Sequence, residues 1–125
     1  MCTPSVVFHS TSVDGRSQVN SDSGKAAWYA FDLTEDDSVT NARVFYDVTE
    51  NAKTEMGLPD GLKVDSNNTI FASGPGGVWI FNGDGKVLGR IRINGVPVSN
   101  CALSSDEKTL FLTADSYILR VKLRN

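Results

Sequence analysis

Leu58-Pro59-Asp60-Gly61-Leu62 sets one carboxylate in a tight Pro-Asp-Gly punctuation directly ahead of a β-rich run. Two uses of that carboxylate follow from its chemistry. In a turn, Asp accepts hydrogen bonds from its own backbone. At the head of a strand, the same group is a hard oxygen ligand suited to Ca2+, Mg2+ or Mn2+, and a base able to take a proton from water. On the residues alone the turn is the better reading. Asn100, with Ser99 beside it, falls at the corresponding point some 40 residues later. Its amide suits either contact with a substrate or the capping of a turn.

The other chemistry-bearing residues read as structural. His9 is the only histidine, so any Ser-His-Asp triad would have to use it, yet it lies in the least regular part of the chain. Cys2 and Cys101 are far apart, without Cys-x-x-Cys spacing, and read as free thiols. Gly74-Pro75-Gly76-Gly77 is followed by neither Lys-Ser nor a helix, so it is a hairpin turn rather than a phosphate cradle. Asp84-Gly85-Lys86 lacks the alternating acidic ligands and closing Glu of a calcium loop. Glu35-Asp36-Asp37 reads as a solvated turn between two strands.

What positions Asp60 and Asn100 is an all-β chain. Short β-rich runs alternate with clusters of Gly, Asn, Asp and Ser, and almost nothing recurs at helical spacing. The pattern predicts strands over 5–10, 27–33, 42–48, 61–65, 69–73, 78–82, 87–93, 100–104, 109–113 and 117–123. Residues 11–25 are polar, Ser-rich and aperiodic, as in a long loop. Residues 1–25 thus form an irregular N-terminal segment, and 26–125 the organised part.

An internal repeat then fixes the architecture. Thr69-Ile70-Phe71-Ala72-Ser73 aligns with Thr109-Leu110-Phe111-Leu112-Thr113, and Val78-Trp79-Ile80-Phe81 with Ile118-Leu119-Arg120-Val121, both at an offset of 40. The preceding strands align at 39, and Trp28-Tyr29-Ala30-Phe31-Asp32 matches Val78 to Asn82 at 50. A repeat of this length with four short strands is the size of a β-propeller blade. Residues 58–97 make one full blade, 98–125 three strands of the next and 1–57 parts of an earlier one. Trp28, Tyr29, Trp79, Phe81 and Tyr117 are then packing residues between blades. Closed propellers use roughly four to eight blades, so two to three four-stranded blades make a partial propeller with open blade faces.

The 125 residues, 40% hydrophobic, suffice for a core. The net charge of −3 and the scattering of the 12 Lys and Arg exclude a nucleic-acid footprint and a polybasic membrane patch. No apolar run approaches the ~20 residues of a membrane helix. Met1 to Ser10 lacks the pattern of a secretory signal, so a soluble, cytoplasmic protein is expected.

Leu58-Pro59-Asp60-Gly61-Leu62-Lys63-Val64-Asp65, Phe71 through Phe81, Gly83-Asp84-Gly85-Lys86-Val87-Leu88-Gly89, Asn100-Cys101-Ala102 and Lys108 through Ala114 occur in that order. Together they resemble the late blades of the SMP-30/gluconolactonase/LRE-like family over roughly residues 26–125. The resemblance implies the C-terminal half of a six-bladed propeller whose members hydrolyse sugar lactones with a divalent metal at the channel mouth. It implies that Asp60, in the Pro-Asp-Gly motif, is both a metal ligand and the general base, which reverses the turn reading. The family's other ligands, a Glu near the N-terminus and an Asn from a middle blade, have no counterparts here. The expectations are therefore Asp60 as catalytic and metal-binding residue, Asn100 and Ser99 as substrate-contacting or supporting residues, Ca2+ or Zn2+ as cofactor and a small lactone as substrate. The alternative is a catalytically incomplete propeller acting as a binding or assembly module, with further copies of the chain completing a ring.

Overall fold

The structure, a computed structural model, describes residues 25–123 and the backbone of residues 5–10. The polar segment 11–24 and Cys2 lie outside the described residues. The elements run β1 (Ser5–Ser10), β2 (Ala27–Leu33), β3 (Val39–Asp47), α1 (Thr49–Ala52), β4 (Leu62–Val64), β5 (Ile70–Gly74), β6 (Gly77–Phe81), β7 (Val87–Arg92), β8 (Val98–Leu103), β9 (Thr109–Ala114) and β10 (Tyr117–Lys122). They form three antiparallel sheets with strand orders β1-β2-β3, β4-β5-β6-β7 and β8-β9-β10. The partial propeller expected from the repeat is what the chain forms: one four-stranded blade between two three-stranded ones.

The turns follow side-chain chemistry. Asp65 Oδ1 accepts from the amides of Asn67 and Thr69 at 2.9 and 2.8 Å, and Asn68 takes φ 62°. One blade later, Ser104 Oγ accepts from the Thr109 amide at 3.0 Å and Glu107 takes φ 59°. This turn closes over five residues where the other closes over four, which is why the repeat offset changes from 39 to 40. The two turns are clipped together across the blades by Glu107, whose carboxylate accepts from the Ser66 hydroxyl at 2.7 Å and its amide at 3.0 Å.

Two features depart from the sequence reading. Strand β3 begins at Val39, because Thr40 and Val39 pair with Asp32 and Leu33 despite a polar stretch, and Asn41 and Arg43 hold the Asp32 carboxylate. The short helix α1 has no periodic signal at four residues. It forms because Asp47 Oδ1 accepts the Thr49 amide at 2.8 Å, while the Val48 amide and the Thr49 hydroxyl fasten Ala26. No helix among the described residues is long and apolar enough to cross a membrane.

Two apolar seams hold the three sheets. Between the first and middle blades lie Trp28, Val48, Ile70, Ala72, Trp79 and Phe81. Between the middle and last lie Phe71, Val78, Val98, Cys101, Leu110, Leu112 and Ala114. Strand β5 is buried at every residue because its alternate side chains enter opposite seams. In the first seam Phe81 touches Trp28, Phe45 and Tyr46 with ring centroids 5.2 to 5.4 Å away. Gly74 is required there, since a Cβ would lie 2.8 Å from the Trp28 ring.

At the rim of this seam the Arg90 guanidinium lies 3.9 Å over the Trp79 ring and donates to Glu55 and to the Pro75 carbonyl. The hydrogen bond from Arg90 holds the Glu55 carboxyl below its ordinary 4.5, against burial and with help from Asn51. A carboxyl depressed by folding stabilises the fold above its unfolded value, and that stabilisation is lost as pH falls through the folded value. Melting temperature should therefore decline on acidification below about pH 4.5, and Glu55→Gln should flatten that decline in thermal melts followed by circular dichroism.

Candidate active site

Pro59 is buried and anchors the segment leading to β4, while Asp60 beside it is exposed. The backbone here is fixed from both sides. The Asp60 amide donates to the Ser73 carbonyl at 3.1 Å, and the Gly61 amide donates across the seam to the Ser99 carbonyl at 2.9 Å. The Gly61 carbonyl accepts from the Ser73 amide and from the Ser73 hydroxyl, each at 2.9 Å. That hydroxyl, fully buried, also lies 3.1 Å from the Ser99 carbonyl. One side chain thereby ties β5, the head of β4 and the head of β8 together.

Ser99 reaches the seam because β8 is bulged between Val98 and Asn100. A bulge bends its strand and re-aims the groups around it. Here it turns the Ser99 carbonyl toward the neighbouring blade. The Ser99 hydroxyl is 2.8 Å from Thr113 Oγ1, so that side chain is engaged within its own blade.

Asn100 comes directly against Gly61, where a Cβ would lie 2.0 Å from Asn100 Oδ1 and 3.0 Å from its Cα. Asn100 Oδ1 accepts from the Cys101 amide at 2.8 Å and lies 3.5 Å from Lys63 Nζ. Its amide nitrogen has no hydrogen-bond partner among the described residues and the residue is exposed, which leaves two N–H donors facing out. The structure thus brings the Asp60–Gly61 backbone, Ser99 and Asn100 to one seam.

The decisive contrast is among the turn residues. Asp65, Asn82 and Asp106 each accept from backbone amides two or more residues on. Their oxygens are occupied in the way Asp is used in turns. The Asp60 carboxylate accepts no hydrogen bond among the described residues. It is therefore not holding its own turn, and both of its oxygens are open to solvent or a ligand.

Other candidates are not assembled. The Cys101 thiol is buried, donates to the Phe71 carbonyl at 3.4 Å, and is pushed up by burial against the pull of Lys63, so it stays neutral. His9 lies on β1 with its backbone opposite Trp28, and its side chain is outside the described residues. A cleft of about 420 Å3 opens at the far end of β4 between Asp65, Thr69, Asp106 and Glu107. Its carboxylates are spent on the turns and on Ser66. No three His, Cys, Asp or Glu side chains among the described residues converge as a metal centre. The Asp60 carboxylate is a single free donor group, and a metal held by it would need ligands from outside the described residues.

The chain is similar to known proteins in sequence and in fold. Residues 10–116 match the pattern of the SMP-30/Gluconolactonase/LRE-like region. A gluconolactonase of Zymomonas mobilis subsp. mobilis is 45% identical over 69 residues, which is 54% of this chain and 19% of that protein. Among solved structures, a gluconolactonase of Xanthomonas campestris superposes with a TM-score of 0.67 at 30% identity, over 78% of this chain and 30% of that one. A luciferin-regenerating enzyme shares the fold with a TM-score of 0.60 at 20% identity, over 85% of this chain and 36% of its own. The chain therefore spans between a fifth and little more than a third of these relatives.

Proposed function

The chain belongs to the SMP-30/gluconolactonase/LRE-like family, and from that membership we propose that it forms the late-blade part of a divalent-metal-dependent sugar lactone hydrolase. What carries this reading is the Asp60 carboxylate, exposed and unoccupied by its own turn. Asp60 would take a proton from a water molecule whose oxygen attacks the lactone carbonyl carbon. The ring C–O bond then breaks, the departing oxygen takes up the proton, and a hydroxy acid results. The free Asn100 amide would donate to a substrate oxygen and orient the ring. A cation such as Ca2+ or Zn2+, when bound, would polarise the lactone carbonyl, with Asp60 supplying one of its oxygen ligands. The buried, unpaired Cys101 thiol suits a reducing, cytoplasmic compartment.

The test is hydrolysis of gluconolactone during titration with Ca2+ or Zn2+, in the parent chain and in Asp60→Ala. Loss of a general base is expected to lower the rate about 100-fold to 10,000-fold. Equal rates in the two proteins would overturn the role of Asp60. The incomplete donor set favours one other reading, a non-catalytic propeller module. That reading predicts lactone or metal binding by calorimetry without turnover.

A further inference from the structure

Two asparagines precede glycine, in Asn82-Gly83 and Asn94-Gly95. Such a pair can react with its own main chain, because glycine has no Cβ to keep its amide nitrogen away from the asparagine Cγ. The nitrogen bonds to Cγ, the Cγ–Nδ2 bond breaks, and Nδ2 leaves as ammonia with the amide proton. Water then opens the resulting cyclic imide at either of its carbonyls. One opening gives aspartate. The other gives isoaspartate, whose main chain runs through Cβ and Cγ and is longer by one carbon.

The fold restrains the two pairs unequally. Asn82 Oδ1 accepts from the amides of Asp84 and Lys86 at 3.0 and 2.9 Å. The Asn82 amide donates to the Lys86 carbonyl at 3.0 Å, and the Asn82 carbonyl accepts from the Gly85 amide at 3.1 Å. Attack on Cγ there has to break into that set of bonds. Asn94 is exposed on the connection between β7 and β8, and neither its side chain nor its main chain makes a hydrogen bond among the described residues. Gly95 takes φ 85°, with nothing within 4 Å of the place a Cβ would occupy. Both reacting groups are free to meet.

We propose that Asn94 is a site of spontaneous deamidation, and that isoaspartate formed there weakens the joint between the middle and last blades. The connection is fixed at both ends. The Ile93 amide donates to the Gly76 carbonyl at 2.9 Å, Val98 is 1% exposed in the second seam, and the Ser99 carbonyl receives the Gly61 amide at 2.9 Å. Pro97 also packs on the segment before Asp60, its Cβ 3.7 Å from where a Cβ on Gly57 would be. An added main-chain carbon between these anchors, together with a new carboxylate, pulls on the contacts that hold β8 against β4. No step involves turnover of a substrate, so this inference stands apart from the hydrolase reading.

The test is to age the full chain in warm, mildly alkaline buffer, digest it and follow the exchange of NH2 for OH by mass spectrometry. Trypsin cuts after Lys63, Lys86, Arg92 and Lys108, so the two pairs fall in separate peptides. Aspartate and isoaspartate should accumulate at Asn94 about tenfold or more faster than at Asn82, the difference made by the hydrogen bonds that Asn82 has to break. In urea, where the fold restrains neither pair, the two rates should converge. Aged chain carrying isoaspartate at position 94 should melt below Asn94→Asp, which has the new charge on a main chain of ordinary length. Equal rates in the folded chain, or an excess at Asn94 that persists in urea, would overturn the proposal. So would an isoaspartate form that melts together with Asn94→Asp.

Discussion

Phe81→Ala is expected to remove about 3–5 kcal/mol of stability, read as a lowered urea midpoint with the slope little changed. Phe81 is fully buried and is the ring on which Trp28, Phe45, Tyr46 and Trp79 converge. Truncation loses the transfer energy of the ring. It also leaves a void that four rigid aromatic neighbours, held in edge, tilted and stacked contacts, cannot collapse to fill. Domains of this size are stable by about 5–15 kcal/mol in all, so the variant should sit close to the unfolding threshold. Phe45→Ala, whose parent side chain is only partly buried, should cost clearly less.

Gly61→Ala is expected to destabilise the chain by about 1–3 kcal/mol, the usual range for an inserted methyl group in a filled space. The new Cβ would lie 2.0 Å from Asn100 Oδ1 and 2.3 Å from its Cγ. The Asn100 side chain can swing aside, but only by breaking its bond to the Cys101 amide, and its Cα at 3.0 Å must also give. Such a shift loosens the Gly61–Ser99 backbone bond that joins the blades. In a double-mutant cycle by urea denaturation, Gly61→Ala with Asn100→Ala should therefore be less destabilised than the sum of the single changes. Strict additivity would show that the two residues do not share the space.

The strands are readable because the middle and last blades repeat the same alternation about 40 residues apart. Phe71 and Phe111 announce one another. The bulge at Ser99 was not readable, since it answers to Gly61 and Ser73, which lie 38 and 26 residues away in a different blade. The start of β3 and the four-residue α1 were hidden for a similar reason: Asp32 and Ala26 stabilise them from outside the local window. The packing of Asn100 against Gly61, the neighbour of Asp60, fits the repeat register. The state of the Asp60 carboxylate did not, because Pro-Asp-Gly has the same letters whether or not the oxygens are used by the turn.

The Ser73 hydroxyl beneath Gly61 has its counterpart in Thr113, the residue 40 positions on, whose own hydroxyl lies 2.8 Å from Ser99 Oγ and 3.4 Å from the Asn100 carbonyl. Apolar seams are soft gauges, since side chains of similar volume can exchange and the sheets can slide by fractions of an ångström. A hydroxyl spanning two carbonyls is a hard gauge with a fixed length. The step between the middle and last blades is thus metered by the Ser73 hydroxyl and the Gly61–Ser99 bond and filled elsewhere by hydrocarbon, whereas the Thr113 hydroxyl works within its own blade. Drift in the outer packing therefore changes the girth of the arc while leaving the separation of the β4 and β8 heads where it was.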